Sequence, residues 1–346
     1  MDESSARDLD AAIALVAENY AGYRDKLSAL GSARLEQAAE EARASARGAQ
    51  SLGDADRAIR AYLSVFGDGH LWLTKAAGTS QSPARSAIPA VEHPSLQRLS
   101  RSTTLLTIPA SFALASKAGL EGLLDRHEAT IRAHRCLIID LRGNTGGSDA
   151  TYIHLLPYLY TGPIEVIGVD IFATAANTKR WEAMASMVPD SEPELAQQVA
   201  AIVSQMKARP AQFVHLPDER IELPLVMPAP ARVGIVVDRQ CASAVEQFLL
   251  AARQSGKVRL FGQPTRGVLD YSNPVEFCLP SGTRALGIPT SRSRRLPDRP
   301  VDGTGILPDV VLDPDDVRGW IATVQEHLER WRGGDKPANR DRKTPA

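Results

Sequence analysis

Apolar residues in the first 65 positions recur every three to four residues, which is the spacing of an amphipathic helix. The clearest stripe consists of Leu9, Ile13, Val16, Ala17 and Tyr20. A second helix is predicted over the Ala/Glu/Arg-rich residues 32–47, and a third begins at Asp54, which can cap it. The pattern therefore predicts an N-terminal helical domain over residues 1–65, a small bundle that packs against the rest of the protein.

From Phe66 onward the pattern changes to short apolar runs that are typical of strands. These runs are Leu71–Thr74, Thr103–Pro109, Cys136–Asp140, Ile164–Phe172, Val233–Val237, Val258–Phe261, Val275–Leu279 and Ala285–Pro289. Helical stretches, Ser116–Ala133 and Ala244–Ser255 among them, alternate with the strands. The alternation predicts an α/β domain over residues 66–332 with a partly parallel sheet. A helical insertion is expected at about 173–210, around Glu194–Met206.

The composition narrows the functional classes. The 346 residues are 43% hydrophobic and 23% charged, which is enough for a sizeable core, and the tail 333–346 has the composition of a disordered segment. A formal net charge of -1 argues against a generally basic surface for nucleic acid. No apolar run is long enough to span a membrane. We therefore expect neither a nucleic-acid partner nor membrane insertion.

The cysteines and the first residues bear on the compartment. Cys136, Cys241 and Cys278 are an odd number and are widely spaced, so neither a disulfide framework nor a zinc site is predicted. All three are expected to be packed, free thiols. The acidic start Met1–Ser5 lacks the signature of a secretory signal. The cytoplasm is favoured for the chain as given, and the periplasm or secretion if a signal peptide was removed.

Ser243 is the strongest candidate for chemistry. It follows the apolar run Val233–Val237 and begins the helical stretch Ala244–Ser255, so free backbone N–H groups surround it. The segment 138–147 ends another strand in a glycine-rich turn, which can supply a further N–H. A nucleophile beside two such donors suits acyl transfer, because the tetrahedral intermediate carries an oxyanion. The alternative is that Ser243 only caps the helix, with Glu246 completing a capping box.

Five motifs occur in an informative order along the chain. They are Phe-Gly-Asp-Gly-His at 66–70, Asp-Leu-Arg-Gly-Asn-Thr-Gly-Gly at 140–147, Ser-Ala-Val-Glu at 243–246, Leu-Phe-Gly-Gln-Pro-Thr-Arg-Gly at 260–267 and Gly-Thr-Gly-Ile-Leu-Pro-Asp at 303–309. The set resembles the S41 serine peptidases, the family of the C-terminal processing proteases and the tricorn core, over roughly residues 63–313. The resemblance implies a ClpP/crotonase-like α/β core and a nucleophilic serine at Ser243.

The resemblance also bears on the base that activates the serine. Processing proteases use a lysine, and the position that matches it here holds Val268. The nearest basic residue is Arg266, which cannot act as a base at ordinary pH. The tricorn-like branch uses a histidine, and His70 occupies the matching segment. A neutral imidazole can take the serine proton and return it to the leaving amine. The alternative for His70 is a purely structural role.

A histidine base normally needs an orienting acceptor. The resemblance implies an acidic residue before the Gly-x-x-Pro-Asp segment, and Asp302 occupies that position. A turn-stabilising aspartate is the alternative for Asp302, and Asp68 is the second candidate acceptor. Gly69 stands where tricorn carries a serine, so the hydrogen-bond relay of tricorn does not transfer in full.

The remaining candidates surround the reaction. The N–H groups of Ala244 and of Gly146 or Gly147 are expected to hold the oxyanion, and Asp140 and Arg142 to hold the glycine turn. Four residues are candidate substrate contacts: Gly146, Ser272, Arg292 and Arg294. The two arginines suit a substrate carboxylate, and a solvated charge run is the alternative.

The sequence therefore predicts a serine-type peptidase of the histidine-using branch, acting on peptides or proteins through an acyl-enzyme. No metal or other cofactor is required, and a homo-oligomer is possible. The gap between His70 and Ser102 is too short for a PDZ domain. The alternatives are a related acyl-transfer hydrolase, such as an esterase or a biosynthetic peptide-trimming enzyme, and a non-catalytic ligand-binding homologue.

Overall fold

The computed structural model describes residues 3–48, 51–76 and 93–331. The helices in this part are α1 Glu3–Asn19, α2 Tyr23–Leu30, α3 Ser32–Arg47, α4 Leu52–Ser64, α5 Lys117–Ala133, α6 Asp149–Tyr152, α7 Leu156–Leu159, α8 Ala175–Ala185, α9 Pro193–Ala208, α10 Ala244–Ala252 and α11 Trp320–Arg330. The strands are β1 Trp72–Lys75, β2 Ser95–Arg98, β3 Thr103–Thr107, β4 Cys136–Asp140, β5 Ile164–Val166, β6 Val169–Phe172, β7 Phe213–His215, β8 Glu219–Ile221, β9 Arg232–Val237, β10 Val258–Gly262, β11 Tyr271–Cys278, β12 Arg284–Ser293 and β13 Val310–Val311. The predicted disordered tail, 333–346, lies outside these residues.

The chain divides into two compact units. The first unit comprises Met1–Ala84, Ile167–Asp218 and Asp270–Gly303. The second unit comprises Arg85–Val166, Glu219–Leu269 and Thr304–Ala346. The four N-terminal helices share the first unit with later strands, so residue 65 marks a change of secondary structure inside this unit. The predicted domain boundaries themselves stay a prediction.

The first unit contains a five-stranded antiparallel sheet. Its strands run in the order β1-β12-β6-β7, and β11 also pairs with β12. Helices α1 and α4 pack on this sheet, because each carries an apolar stripe that is buried in the same core. Leu9, Val16 and Ile59 of these helices and Ile288 of β12 are at most 1% exposed. The N-terminal apolar stripe that the sequence predicts thus covers a sheet.

The predicted helical insertion also belongs to the first unit. Its helix-compatible run lies in α9, which begins at a proline in the first turn and buries Val199, Val203 and Met206 on one face. Helix α8 precedes it, and strand β7 follows it and pairs with β6. The sequence pattern did not predict either of these two elements.

The second unit contains a six-stranded sheet in the order β13-β10-β9-β4-β3-β2. All pairs are parallel except β2 with β3. Strands β4 and β9 are fully buried, as continuous apolar runs in a parallel sheet should be. Their carboxyl ends lie at one edge of the sheet, and the turn 141–147 and the segment 238–243 leave from there. This edge positions the glycine turn beside Ser243.

Two predictions from the apolar pattern are wrong. The run Ile164–Phe172 is not one strand, since β5 pairs with β8 in the second unit and β6 pairs with β12 and β7 in the first. The apolar pattern along a segment does not show which strand each half of the segment pairs with. Cys278 is exposed rather than buried, because strand β11 alternates its faces and Cys278 lies on the same face as Glu276.

No helix in the described part of the chain is both long enough and apolar enough to cross a membrane.

Candidate active site

Ser243 lies at the junction of β9 and α10 in an unusual backbone conformation. Its φ is 58° and its ψ is -121°, which places a non-glycine residue in a region that costs about 1–3 kcal/mol. The Ser243 amide is held by two acceptors, the Glu246 carboxylate at 3.0 Å and the Val268 carbonyl at 3.1 Å. The surrounding structure therefore fixes a strained serine at a helix N-terminus.

Glu246 organises this side of the site. Its side chain is fully buried, and its two oxygens accept four hydrogen bonds. One oxygen accepts from the Thr265 hydroxyl at 2.5 Å and the Gly267 amide at 2.8 Å. The other accepts from the Ser243 amide at 3.0 Å and the Val268 amide at 2.9 Å. The predicted capping box is present, and the same carboxylate also ties loop 265–268 to the serine.

Asn144 shapes the glycine turn beside the serine. It is fully buried, and its amide group donates to the Ile108 carbonyl at 3.1 Å and accepts from the Gly146 N–H at 3.0 Å. Gly146 has a φ of 97°, and a Cβ there would come within 2.7 Å of the Ser243 Cβ and 2.9 Å of the Ala244 nitrogen. Only glycine fits this close approach of the turn to the serine.

Two N–H groups are available to hold an oxyanion. Asn144 takes the Gly146 N–H, so Gly147 is the turn residue that can donate. Within the described ranges, no acceptor is found for the N–H of Gly147 or of Ala244. Phe112 fixes Gly147 on both sides, because its amide donates to Gly146 at 2.7 Å and its carbonyl accepts from Ser148 at 2.8 Å. This arrangement suits the stabilisation of a developing negative charge.

The Asp140 and Arg142 side chains hold each other at the start of the turn. Two guanidinium nitrogens donate to the two carboxylate oxygens at 2.8 and 2.6 Å, and a third donates to the Val317 carbonyl at 2.8 Å. The pair is mostly buried. These contacts support the turn, as the sequence predicts.

Cys241 is not a competing nucleophile. Its thiol is fully buried and donates to the Leu141 carbonyl at 3.1 Å. Burial raises the pKa of the Cys241 thiol well above its ordinary value, and the neighbouring Asp238 carboxylate adds to the rise. A thiol that stays protonated is a packed group, as predicted.

His70 belongs to the first unit and is buried there. Its Nδ1 lies 2.6 Å from the Tyr271 carbonyl oxygen, and its amide donates to Asp68 at 2.7 Å. A carbonyl oxygen only accepts hydrogen bonds, so Nδ1 carries a proton; in the neutral form of the ring the lone pair is then on Nε2. The acceptor on the imidazole Nδ1 is therefore a main-chain carbonyl, whereas the sequence predicted a carboxylate.

Asp68 contacts the main chain of His70. Burial raises the pKa of the Asp68 carboxyl to about 6, although the Tyr20 hydroxyl and the His70 amide favour its ionised form. Asp68 thus fixes the backbone on which the imidazole is mounted. Its contact with the ring as a second candidate acceptor stays a prediction.

Asp302 lies beside the start of β11. The Asp270 amide donates to the Asp302 carboxylate at 2.8 Å, and the Asp302 amide donates to the Asp270 carboxylate at 2.8 Å. Asp302 also helps to raise the pKa of the Tyr271 hydroxyl, after burial and Asp25. The structure places Asp302 and His70 in one unit, where Asp302 contacts Asp270 and His70 contacts the next residue, Tyr271. The auxiliary role of Asp302 stays a prediction.

The three candidate substrate contacts of the first unit already have partners. The Ser272 hydroxyl lies 3.0 Å from that of Ser291. Arg292 forms ion pairs with Asp25 at 3.1 Å and Asp170 at 3.3 Å, and Arg294 forms one with Asp218 at 2.6 Å. Arg292 lies in β12, and its side chain is partly buried. Substrate binding by these residues stays a prediction.

The model of peptidase family S41 matches residues 104–312. The chain belongs to this family. It is accordingly a serine-type peptidase, and the predicted family is confirmed. A search of curated proteins finds no sequence that matches the chain. The matched residues include Ser243 and Asp302 and exclude His70, so the family match does not decide which base is used.

Solved structures confirm the fold. Mature CPAF is similar with a TM-score of 0.66 and 13% identity, covering 94% of this chain and 96% of that one. A putative peptidase from Parabacteroides merdae has a TM-score of 0.62 and 14% identity over 94% and 97% of the two chains. The tricorn protease has a TM-score of 0.54 and 13% identity, covering 94% of this chain and 37% of tricorn. The α/β fold with N-terminal helices is thereby confirmed.

Proposed function

We propose that this S41 peptidase cleaves peptide bonds through an acyl-enzyme, with Ser243 as nucleophile and His70 as general base. The observation that carries the proposal is the strained Ser243, fixed by Glu246 beside the available N–H groups of Gly147 and Ala244. The proton on Nδ1 of His70 supports its role, because Nε2 then has the lone pair that a base requires.

The proposed steps follow ordinary acyl transfer. Nε2 of His70 takes the hydroxyl proton while Oγ of Ser243 bonds to the substrate carbonyl carbon. The N–H groups of Gly147 and Ala244 hold the oxyanion. The imidazolium then protonates the leaving amine, the C–N bond breaks and the acyl-enzyme remains. His70 then takes a proton from water as that water attacks the ester carbonyl. The bond from the carbonyl carbon to Oγ breaks, the imidazolium returns the proton to Oγ, and the acid and Ser243 are released.

The other predicted residues have supporting roles in this proposal. Asp302 is the auxiliary acid that stabilises the imidazolium, and Gly146, Ser272, Arg292 and Arg294 contact the peptide. Each arginine would have to exchange a carboxylate partner for that of a substrate. Peptides or proteins are the substrates, and we propose no nucleic-acid partner, no cofactor and a possible homo-oligomer. In the described part of the chain, no group of three or more His, Cys, Asp or Glu side chains could hold a metal.

Side-by-side turnover of peptide libraries and matched esters tests the proposal. We expect wild type to cleave peptides, Ser243→Ala and His70→Ala to lose turnover, and the exposed Ser186→Ala to keep it. Preferential hydrolysis of esters would instead favour the acyl-transfer hydrolase. No turnover by folded wild type, together with a co-purifying apolar ligand, would favour the non-catalytic homologue.

A further inference from the structure

Because the His70 ring donates to a main-chain carbonyl, the position of that carbonyl decides whether the hydrogen bond forms. A carboxylate side chain can rotate to follow an imidazole, but the Tyr271 carbonyl is part of the backbone at the first residue of β11. Its position therefore depends on how firmly Tyr271 itself is held. At 2.6 Å from Nδ1, a small displacement of this oxygen would lengthen or break the hydrogen bond.

A carboxylate from α2 fastens the start of β11 to its neighbouring strand. Tyr271 and Arg292 lie directly opposite each other in the β11–β12 ladder. Asp25 accepts from both side chains, from the Tyr271 hydroxyl at 3.1 Å and from the Arg292 guanidinium at 3.1 and 3.3 Å. One carboxylate thus joins a cross-strand pair to a helix.

Packing holds the same pair from other sides. Tyr271 is 5% exposed; its ring meets the Tyr20 ring edge-on at 5.4 Å and has the Lys26 ammonium 5.2 Å from its centroid. The Arg292 guanidinium also pairs with Asp170 and lies 4.7 Å from the centroid of Phe213. Each group therefore has contacts on several sides.

We propose that Asp25, the Tyr271 side chain and Arg292 are positioning residues for His70. They hold the Tyr271 carbonyl where it accepts the Nδ1 proton, and so keep the lone pair of the neutral ring on Nε2. This role replaces the substrate contact proposed for Arg292 above, and the experiments below decide between the two. The inference rests on the proposed function in that it assumes His70 is the base.

Nitrogen NMR of the imidazole, in the full-length protein, tests this without relying on activity. We expect the neutral imidazole of wild-type His70 to carry its proton on Nδ1. Tyr271→Phe removes one hydroxyl, and Asp25→Asn weakens the hold on Arg292; both should populate the tautomer protonated on Nε2. In parallel, kcat should fall about tenfold with KM changed less than about twofold. Asp10→Asn breaks an exposed ion pair of the same unit, with Arg43, and should change neither the tautomer nor the kinetics.

The readouts separate this inference from the proposed function. An unchanged tautomer in folded Tyr271→Phe and Asp25→Asn would overturn the positioning role, whatever the activity. If the two variants change the tautomer but wild type cleaves no peptide, the positioning role is supported and the proposed function fails. If Arg292→Lys raised KM for substrates with a free carboxylate and left the tautomer intact, Arg292 would be a substrate contact and its positioning role would be wrong.

Discussion

The surroundings of Ser243 and of His70 are built in different ways. The serine is held by backbone groups from turns at the ends of parallel strands and by one carboxylate, Glu246, three residues along its own helix. The histidine is held by Tyr271, 201 residues away in sequence, and Tyr271 is held by a carboxylate from α2. Local sequence thus describes the first arrangement well and the second hardly at all.

The two arrangements also differ in how they should fail. Around Ser243, a few buried atoms satisfy one another, so one exchanged atom leaves donors without acceptors. Around His70, several side chains together hold the imidazole and its acceptor in position, so a single substitution should weaken this hold only in part. The substitutions below separate these two behaviours.

Glu246→Gln should have the largest effect. The new amide group would face N–H or O–H donors that the carboxylate now satisfies, since each oxygen of Glu246 accepts two hydrogen bonds. We expect the free energy of unfolding to fall by about 2–4 kcal/mol and labelling of Ser243 by a serine-reactive probe to slow about 100-fold. Denaturant titration and labelling kinetics measure both.

Glu326→Gln is the control for that substitution. Glu326 lies on α11 in an exposed ion pair with Arg330 at 3.4 Å. Its loss should change stability by less than about 0.5 kcal/mol and leave labelling unchanged. Equal effects of the two substitutions would contradict the role assigned to Glu246.

Gly146→Ala, compared with Gly143→Ala, tests the close approach in the glycine turn. Both glycines have positive φ, 97° and 77°, but a Cβ at Gly146 would meet Ser243 and one at Gly143 would meet nothing within 4 Å. We expect Gly143→Ala to cost about 1 kcal/mol from strain alone, and Gly146→Ala about 2–3 kcal/mol with labelling slowed more than about tenfold. Similar labelling rates in both variants would mean that the turn does not support the serine.

Asp68→Asn tests the histidine side through its pH dependence. Burial raises the pKa of Asp68 from 3.8 to about 6, so between these values the folded protein binds the proton more tightly than the unfolded chain. The free energy of unfolding should therefore fall as pH rises through this window, by about 2–3 kcal/mol from this group. Asp68→Asn should lack that fall in denaturant titrations between pH 4 and about 7. An identical decline in the variant would assign it to other groups.

Glu329→Gln should have the smallest effect, with the opposite sign. Hydrogen bonds from Thr103, Ser100 and neighbouring groups lower the pKa of this exposed carboxyl from 4.5 to about 2. Its stabilisation is present above pH 4.5 and is lost as pH falls toward 2. Solvent screening keeps it below about 1 kcal/mol. The difference between wild type and variant should shrink on acidification; a growing difference would contradict the account.

Much of the fold follows from the apolar pattern. Every predicted strand overlaps an observed one, and β4 has the predicted bounds. The pattern failed where the pairing strand changes along one apolar run, as in Ile164–Phe172. It also failed where a strand carries polar residues: β11 begins at Tyr271, whereas the predicted strand began at Val275. Strand pairing depends on distant residues that a local window does not contain.

The parts of the site that could be predicted are those in which the interacting residues lie close together in the sequence. The spacing of Ser243 and Glu246 predicts the capping box, and it does not predict that the same carboxylate binds loop 265–268. Asn144 went unnoticed, although a polar residue in a glycine turn at the end of a buried strand is a usable signal. For His70, no feature of the sequence indicates a backbone acceptor on Tyr271, because any residue supplies a carbonyl.

Labelling with a fluorophosphonate, followed by peptide mapping, tests the central claim most directly. The account predicts one covalent adduct on Ser243 of wild type, none in Ser243→Ala, and labelling slowed at least about 100-fold in folded His70→Ala. An adduct on another serine, or undiminished labelling of Ser243 without His70, would contradict it.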